Sequence, residues 1–347
     1  MKKLLFLLLI SSSFAFGQSD TSMYFPPINN SEWATIAPES LNWNIKNLTA
    51  LLDFLEQKNT SSFLILVNGR IIVEKYFGAQ KVDSDHPWNS AGKTLVSAVV
   101  GIAQQENLLN INSKVFMFLG KGWANEPWEK IKEISIRNLL TMTSGIDNSS
   151  QIIRKRNLTY RADAGTRWAY HNVFQKLMEV IEEASEKKFE NYFNEKLKNK
   201  IGMEGYWRNG LIFRIYHSNA RSMARFGILA LNNGSWQNEQ IINKRYFNES
   251  INSSQELNPA YGFFWWLNGK DKYMLPGSEQ VFKGPLIPNA PADMYAAMGA
   301  ADQRLYVIPS KKMIIIRMGE ASNKRNPSFA LSGFDNELWE KINEVIK

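Results

Sequence analysis

Apolar residues recur at helical spacing at Ile45, Leu48, Leu52 and Leu55, which predicts an amphipathic helix. Two apolar runs follow, Phe63 to Val67 and Ile71 to Val73, separated by Asn68-Gly69. Both positions of that turn need positive φ, so the pattern predicts a β-hairpin. From about 90 to 255 the periodicity is helical. Leu95, Ala98, Val99 and Ile102 form one stripe, and Leu177, Val180, Ile181 and Ala184 another. Ala220, Met223, Ala224 and Gly227 form a third, with Ser218 or Asn219 as its N-cap. Beyond 256, Tyr261 to Leu267, Met294 to Met298, Leu305 to Ile308 and Met313 to Arg317 read as short strands between Gly, Pro and Asn. A last helix carries Leu338, Ile342, Val345 and Ile346 on one face.

Strands at both ends and helices between them predict an α/β lobe joined to an all-α lobe. One antiparallel sheet with flanking helices is assembled from 18–89 and 256–347, and a mainly helical lobe, 90–255, is inserted. The cleft between lobes is the expected place for a ligand. Ahead of this body, Lys2 and Lys3, the apolar Leu4 to Ile10 and the small-x-small Ala15-Phe16-Gly17 read as a signal peptide over 1–17, cleaved before Gln18. Its apolar stretch falls short of the ~20 residues a bilayer requires. The expectation is a periplasmic or secreted protein with no membrane span after cleavage.

Hydrophobic residues are 44% and charged residues 21% of the chain, ordinary for a globular protein. The net charge of +8 is scattered among acidic residues, with no basic stripe for nucleic acid. The chain has no cysteine, which excludes disulfides, a cysteine nucleophile and thiolate metal sites. The only histidines, His86, His171 and His217, have no local ligand spacing. Neither metal nor cofactor is expected. Gly-x-Ser-x-Gly and His-Glu-x-x-His are both absent.

Ser-x-x-Lys is present, as Ser90-Ala91-Gly92-Lys93 just before a helical stripe. Residues three apart share a helix face, so Lys93 can reach Ser90. The lysine can act as a base only if burial or a neighbouring cation lowers its pKa towards neutrality. A second copy, Ser185-Glu186-Lys187-Lys188, lies in a charged run and reads as a solvated helix end. By itself the motif also fits a helix cap with a surface lysine. Within Trp168-Ala169-Tyr170-His171-Asn172, Tyr170 offers a phenol for proton transfer and Asn172 an amide for a substrate carbonyl or for Lys93. A packed aromatic and a helix cap fit those two positions as well.

These segments together resemble the serine β-lactamase-like family, which includes class C β-lactamases, D-alanyl-D-alanine peptidases, esterases and 6-aminohexanoate-dimer hydrolases. Trp88 to Thr94 is similar to its nucleophile motif, Ile134 to Asp147 to its LLtHtSGl segment, and Ala164 to Asn172 to its PGtrfxYsN segment. Ile201 to Met203, Ala220 to Gly234, Tyr261 to Trp266 and Gln303 to Pro309 follow in the family's order, from about 60 to 319. The resemblance implies a β-lactamase/transpeptidase-like fold and a serine hydrolase acting on a small ester or amide. Ser90 would be acylated, with Lys93 and Tyr170 moving the proton. The N–H groups of Ser90 and Ala300 would form the oxyanion hole, and Gly299 would let the strand approach the ligand. In β-lactamases and peptidases of the family the third motif carries a base; here Ala297-Met298-Gly299 has none. That departure favours the esterase and amidase branches. It also keeps open a penicillin- or peptidoglycan-binding protein with little turnover. Nothing in the sequence sets the oligomeric state.

Overall fold

The computed structural model describes residues 22–125, 127–210, 213–328 and 330–346. The expected signal peptide lies outside them. The main sheet has six antiparallel strands: β1 (Thr60–Val67), β2 (Arg70–Tyr76), β3 (Trp266–Leu267), β4 (Tyr295–Gly299), β5 (Gln303–Ile308) and β6 (Met313–Gly319). Their order across the sheet is β2-β1-β6-β5-β4-β3. The first-made strand pair is thus completed by the last, with Thr60 opposite Gly319 and Val67 opposite Met313. The hairpin forms at Asn68 and Gly69, with φ of 50° and 78°. A Cβ on Gly69 would lie 2.0 Å from the Tyr24 carbonyl oxygen, so glycine answers both conformation and space.

The interior strands β5 and β6 are buried along their whole length, because helices cover them. The covering helices are α1 (Ile45–Gln57), α4 (Ala220–Leu231) and α5 (Gly333–Val345). Helix α1 packs against α5 and β1, whereas α4 lies across β6, β5 and β1. Gly227 makes that close approach possible: a Cβ there would stand 2.8 Å from Ile314 and 2.9 Å from Leu305. Asn219 is the N-cap of α4, its side chain accepting from the Ser222 N–H. The central pair, α2 (Lys93–Gln105) and α3 (Lys176–Ser185), pack on each other. One hydrophobic cluster runs from the sheet through these helices.

Three expectations need adjustment. Helix α4, placed by periodicity in the helical lobe, is a layer of the sheet domain. The buried face of α1 is set by Leu51 and Leu55, whereas Ile45 is 39% exposed in the first turn. Of the run Tyr261 to Leu267 only Trp266 and Leu267 form strand. Tyr261 makes only an isolated bridge to Trp266, and the aromatic residues of the run are held mainly by ring packing, Tyr261 meeting the Trp266 ring edge-on at 4.8 Å. Among the described residues no helix is long and apolar enough to cross a membrane.

Candidate active site

The site begins with Trp88, a fully buried anchor. Its backbone N–H donates to the Tyr216 carbonyl (2.8 Å) and its indole N–H to Ser218 Oγ (2.7 Å). With the chain fixed there, Asn89 adopts a left-handed φ of 50° and starts a tight 3-10 turn, Asn89–Gly92. Asparagine tolerates that conformation better than most residues. The turn presents Ser90 and runs directly into α2, so Lys93 is the first residue of the helix.

Lys93 Nζ donates to Ser90 Oγ at 2.8 Å. The lysine is only 2% exposed, and its amine sits 4.7 Å from the ring centre of Tyr170, 4.5 Å from Phe174 and 5.6 Å from Phe213. Burial pushes its pKa down from 10.5 to about 7. That fall corresponds to about 5 kcal/mol against the ammonium. Near neutral pH the amine is therefore poised between its two forms.

Tyr170 precedes the 3-10 turn Asn172–Gln175 that leads into α3. Its ring stacks on Trp266 (6.1 Å, 25°) and meets Tyr261 edge-on, which leaves the hydroxyl as its functional end. That hydroxyl interacts with the Ser90 side chain. Burial holds the phenol above its ordinary pKa, and the Ser90 side chain offsets part of the rise. Tyr170 is thus a neutral donor over the pH range in which Lys93 titrates.

The end of β4 closes the site from the other side, packed on the Asn89–Gly92 turn. A Cβ on Gly299 would lie 2.2 Å from the Trp88 carbonyl oxygen and 3.1 Å from the Ala91 nitrogen; no larger residue fits. Asn89 Nδ2 donates to the Ala300 carbonyl at 2.8 Å. Ala297, two residues before Gly299, is fully buried.

Asn172 takes a different orientation from the one anticipated. Its Nδ2 donates to the Gln151 carbonyl (3.2 Å), and its backbone N–H donates to Gln151 Oε1 (3.1 Å). It ties the loop at Gln151 to the Tyr170 segment instead of reaching for Lys93. The structure thus brings Ser90, Lys93, Tyr170, Gly299 and Ala300 together, and sets Asn172 beside them. Phe174, Phe213, Gln151 and Asn89 are the neighbours that sequence reasoning missed. Only Asn89 carried a usable signal, as an asparagine beside the serine.

The second motif copy behaves as a helix end. Ser185 Oγ donates to the Ile181 carbonyl, and Lys188 is exposed. His86 and His217 lie on two paired strands while His171 is bonded elsewhere, to the Ser150 carbonyl, and burial lowers the pKa of each. Among the described residues no three His, Cys, Asp or Glu side chains are grouped to hold a metal.

A serine bonded to a buried lysine at the start of a helix, against the edge of an antiparallel sheet, defines the serine hydrolases of β-lactamase/transpeptidase-like fold. Residues 53–330 match the Beta-lactamase family, and the chain belongs to it. Solved structures of the same fold include a Bacillus anthracis protein assigned as a 6-aminohexanoate-dimer hydrolase (17% identity, TM-score 0.66, covering 92% of this chain and 88% of that one). A Bacteroides dorei protein assigned as a β-lactamase has 17% identity and a TM-score of 0.68, over 88% of this chain and 99% of that one. A family VIII carboxylesterase has 15% identity and a TM-score of 0.66, over 86% and 96%. No curated protein matches the chain.

Proposed function

We propose that the protein is an exported serine hydrolase that cleaves a small ester or amide through an acyl-enzyme on Ser90. The observation that carries this reading is the 2.8 Å contact between Lys93 Nζ and Ser90 Oγ, with the buried Tyr170 side chain against the lysine. In the neutral-amine form the contact runs in reverse and Lys93 accepts the serine proton. The Oγ bonds to the substrate carbonyl carbon. The bond to the alcohol or amine then breaks, and the leaving group takes a proton relayed through Tyr170. Water repeats the sequence and frees the acid. Lys93 is the base because its pKa falls towards neutrality while that of Tyr170 rises.

The N–H groups of Ser90 and Ala300 serve the developing oxyanion. Gly299 gives the strand its close approach, and Asn172 with Gln151 bounds the cleft. Export rests on the 1–17 pattern. Ala297 in place of a base favours substrates without a carboxylate. The same departure supports a second reading, a penicillin- or peptidoglycan-binding protein with little turnover.

A fluorophosphonate probe and p-nitrophenyl esters test the proposal. Labelling at Ser90 with ester turnover is the expected result. Labelling by a fluorescent penicillin without turnover supports the second reading, and no labelling by either probe overturns both.

A further inference from the structure

The turn that joins β4 to β5 is held from behind in an unusual way. Each of the five carbonyls from Gly299 to Gln303 accepts a hydrogen bond from a side chain. Arg304 Nη1 donates to Gly299 (2.9 Å) and Gln303 (3.1 Å). Arg317 Nη1 donates to Ala301 (2.9 Å) and Asp302 (3.2 Å). Asn89 Nδ2 donates to Ala300 (2.8 Å). Within this turn Ala301 and Asp302 both adopt left-handed φ, 59° and 55°. Neither is the glycine such a conformation favours, so the surroundings must impose it.

The carbonyl of Gly299 belongs to the same peptide unit as the N–H of Ala300. In a trans peptide the two point to opposite sides. A fully buried guanidinium therefore sits on the back of the very peptide whose N–H faces Ser90 in the reading above. It fixes the direction of that N–H, and by drawing charge towards the carbonyl it strengthens the N–H as a donor. Arg304 is itself fixed: Nε and Nη2 bind both oxygens of Asp335 (2.6 and 2.9 Å), and Nη2 also reaches Asp302 Oδ1 (3.0 Å). Asn89 binds the next carbonyl and joins this turn to the residue before the nucleophile.

We infer that Arg304 and Asn89 are positioning residues for the oxyanion hole, holding the Gly299–Ala300 peptide in its donor orientation before substrate arrives. The inference rests on Ser90 being the acylated residue, and its test separates the two. Wild type, Asn89→Ala and Arg304→Lys are acylated with a 13C-carbonyl p-nitrophenyl ester, and the acyl carbonyl stretch is read by infrared difference spectroscopy. Turnover of the ester is compared with that of its thiono analogue, whose sulfur is a poor hydrogen-bond acceptor.

Asn89→Ala lies outside the buried ion pairs and should fold. It is expected to lower kcat about ten- to a hundredfold with little change in KM. Its acyl stretch should move to higher frequency, and its ester-to-thionoester ratio should fall. Arg304→Lys keeps the charge, loses the fork, and should shift in the same directions. Folded, Ser90-acylated variants with the wild-type stretch and ratio overturn the inference, even if kcat and melting temperature fall together. If Arg304→Lys does not fold, Asn89→Ala alone decides. A wild-type protein that never acylates at Ser90 overturns the hydrolase reading, and this inference with it.

Discussion

Two buried cations lie close to the same β-turn and have opposite fates. Lys93 is packed among rings, and burial alone is what moves its pKa, down to about 7. Arg304 is buried as deeply, yet the charges of Asp335 and Asp302 outweigh desolvation and hold it above its ordinary value. Desolvation penalises both charges. In one place the molecule leaves the penalty uncompensated, and the group can exchange a proton near neutral pH. In the other it supplies acids in bidentate geometry, and the group becomes a fixed part of the frame. A buried cation is thus reactive or structural according to whether a counter-charge was built beside it.

This contrast can be broken at several points. Ser90→Ala should lower ester turnover by about 10³–10⁶ in kcat and abolish fluorophosphonate labelling. Lys93→Met should cost nearly as much activity, because the groups act as a unit. It should nevertheless leave the melting temperature at pH 7 equal or higher, since an uncompensated buried amine has been removed. A clear drop in melting temperature would show that Lys93 is paired after all. Asp335→Ala should do the reverse. It strands the Arg304 charge and should destabilise the fold by about 3–5 kcal/mol, measured by denaturant unfolding.

The pH dependence sharpens the same point. Turnover should fall about tenfold per pH unit below about 7, as Lys93 takes up a proton. Stability has a sign that follows from linkage. Between about 7 and 10.5 the unfolded lysine holds a proton that the folded one lacks, so this residue makes stability rise with pH across that window. Lys93→Met should flatten the rise, which urea titrations at pH 7 and 10 would measure. The smallest effect belongs to the other motif copy. Lys188→Ala should change stability by less than ~0.5 kcal/mol and turnover not at all.

What could be read from the sequence was what local spacing encodes. Serine and lysine three apart before an apolar stripe, a tyrosine ahead of the next stripe, and Asn-Gly between strands all describe neighbours in the chain. The charged run around Ser185 separated the solvated copy from the buried one on the same basis. The sheet built from both ends was legible because the longer strand patterns lie there, whereas the short strands Tyr206–Asn209 and Arg214–Ser218 of the middle block form a separate sheet with His86–Pro87. The bracing was not legible, because it joins residues far apart. Arg304 and Asp335 are 31 positions apart, and Asn89 and Ala300 are 211 apart. An arginine inside an apolar strand announces that it has a partner, but not which one. The direction of the Asn172 amide was not legible, because a short amide two residues from a tyrosine can turn either way and the Gln151 loop that holds its Nδ2 leaves no trace in spacing. The run Tyr261 to Leu267 looked like strand because buried aromatics satisfy the same pattern whether ladders or rings hold them.

Pairing of Thr60 with Gly319 and the seat of the Ser90 turn against Tyr295–Gly299 also set a timetable for the growing chain. At ~5–20 residues per second, the ribosome places the serine and lysine on the order of ten to fifty seconds before it supplies the strands that brace them. During that interval the nascent chain carries Ser90 and Lys93 without the strands that pack against them. A polypeptide released before the last strands are made should be chemically silent, however well its helices form.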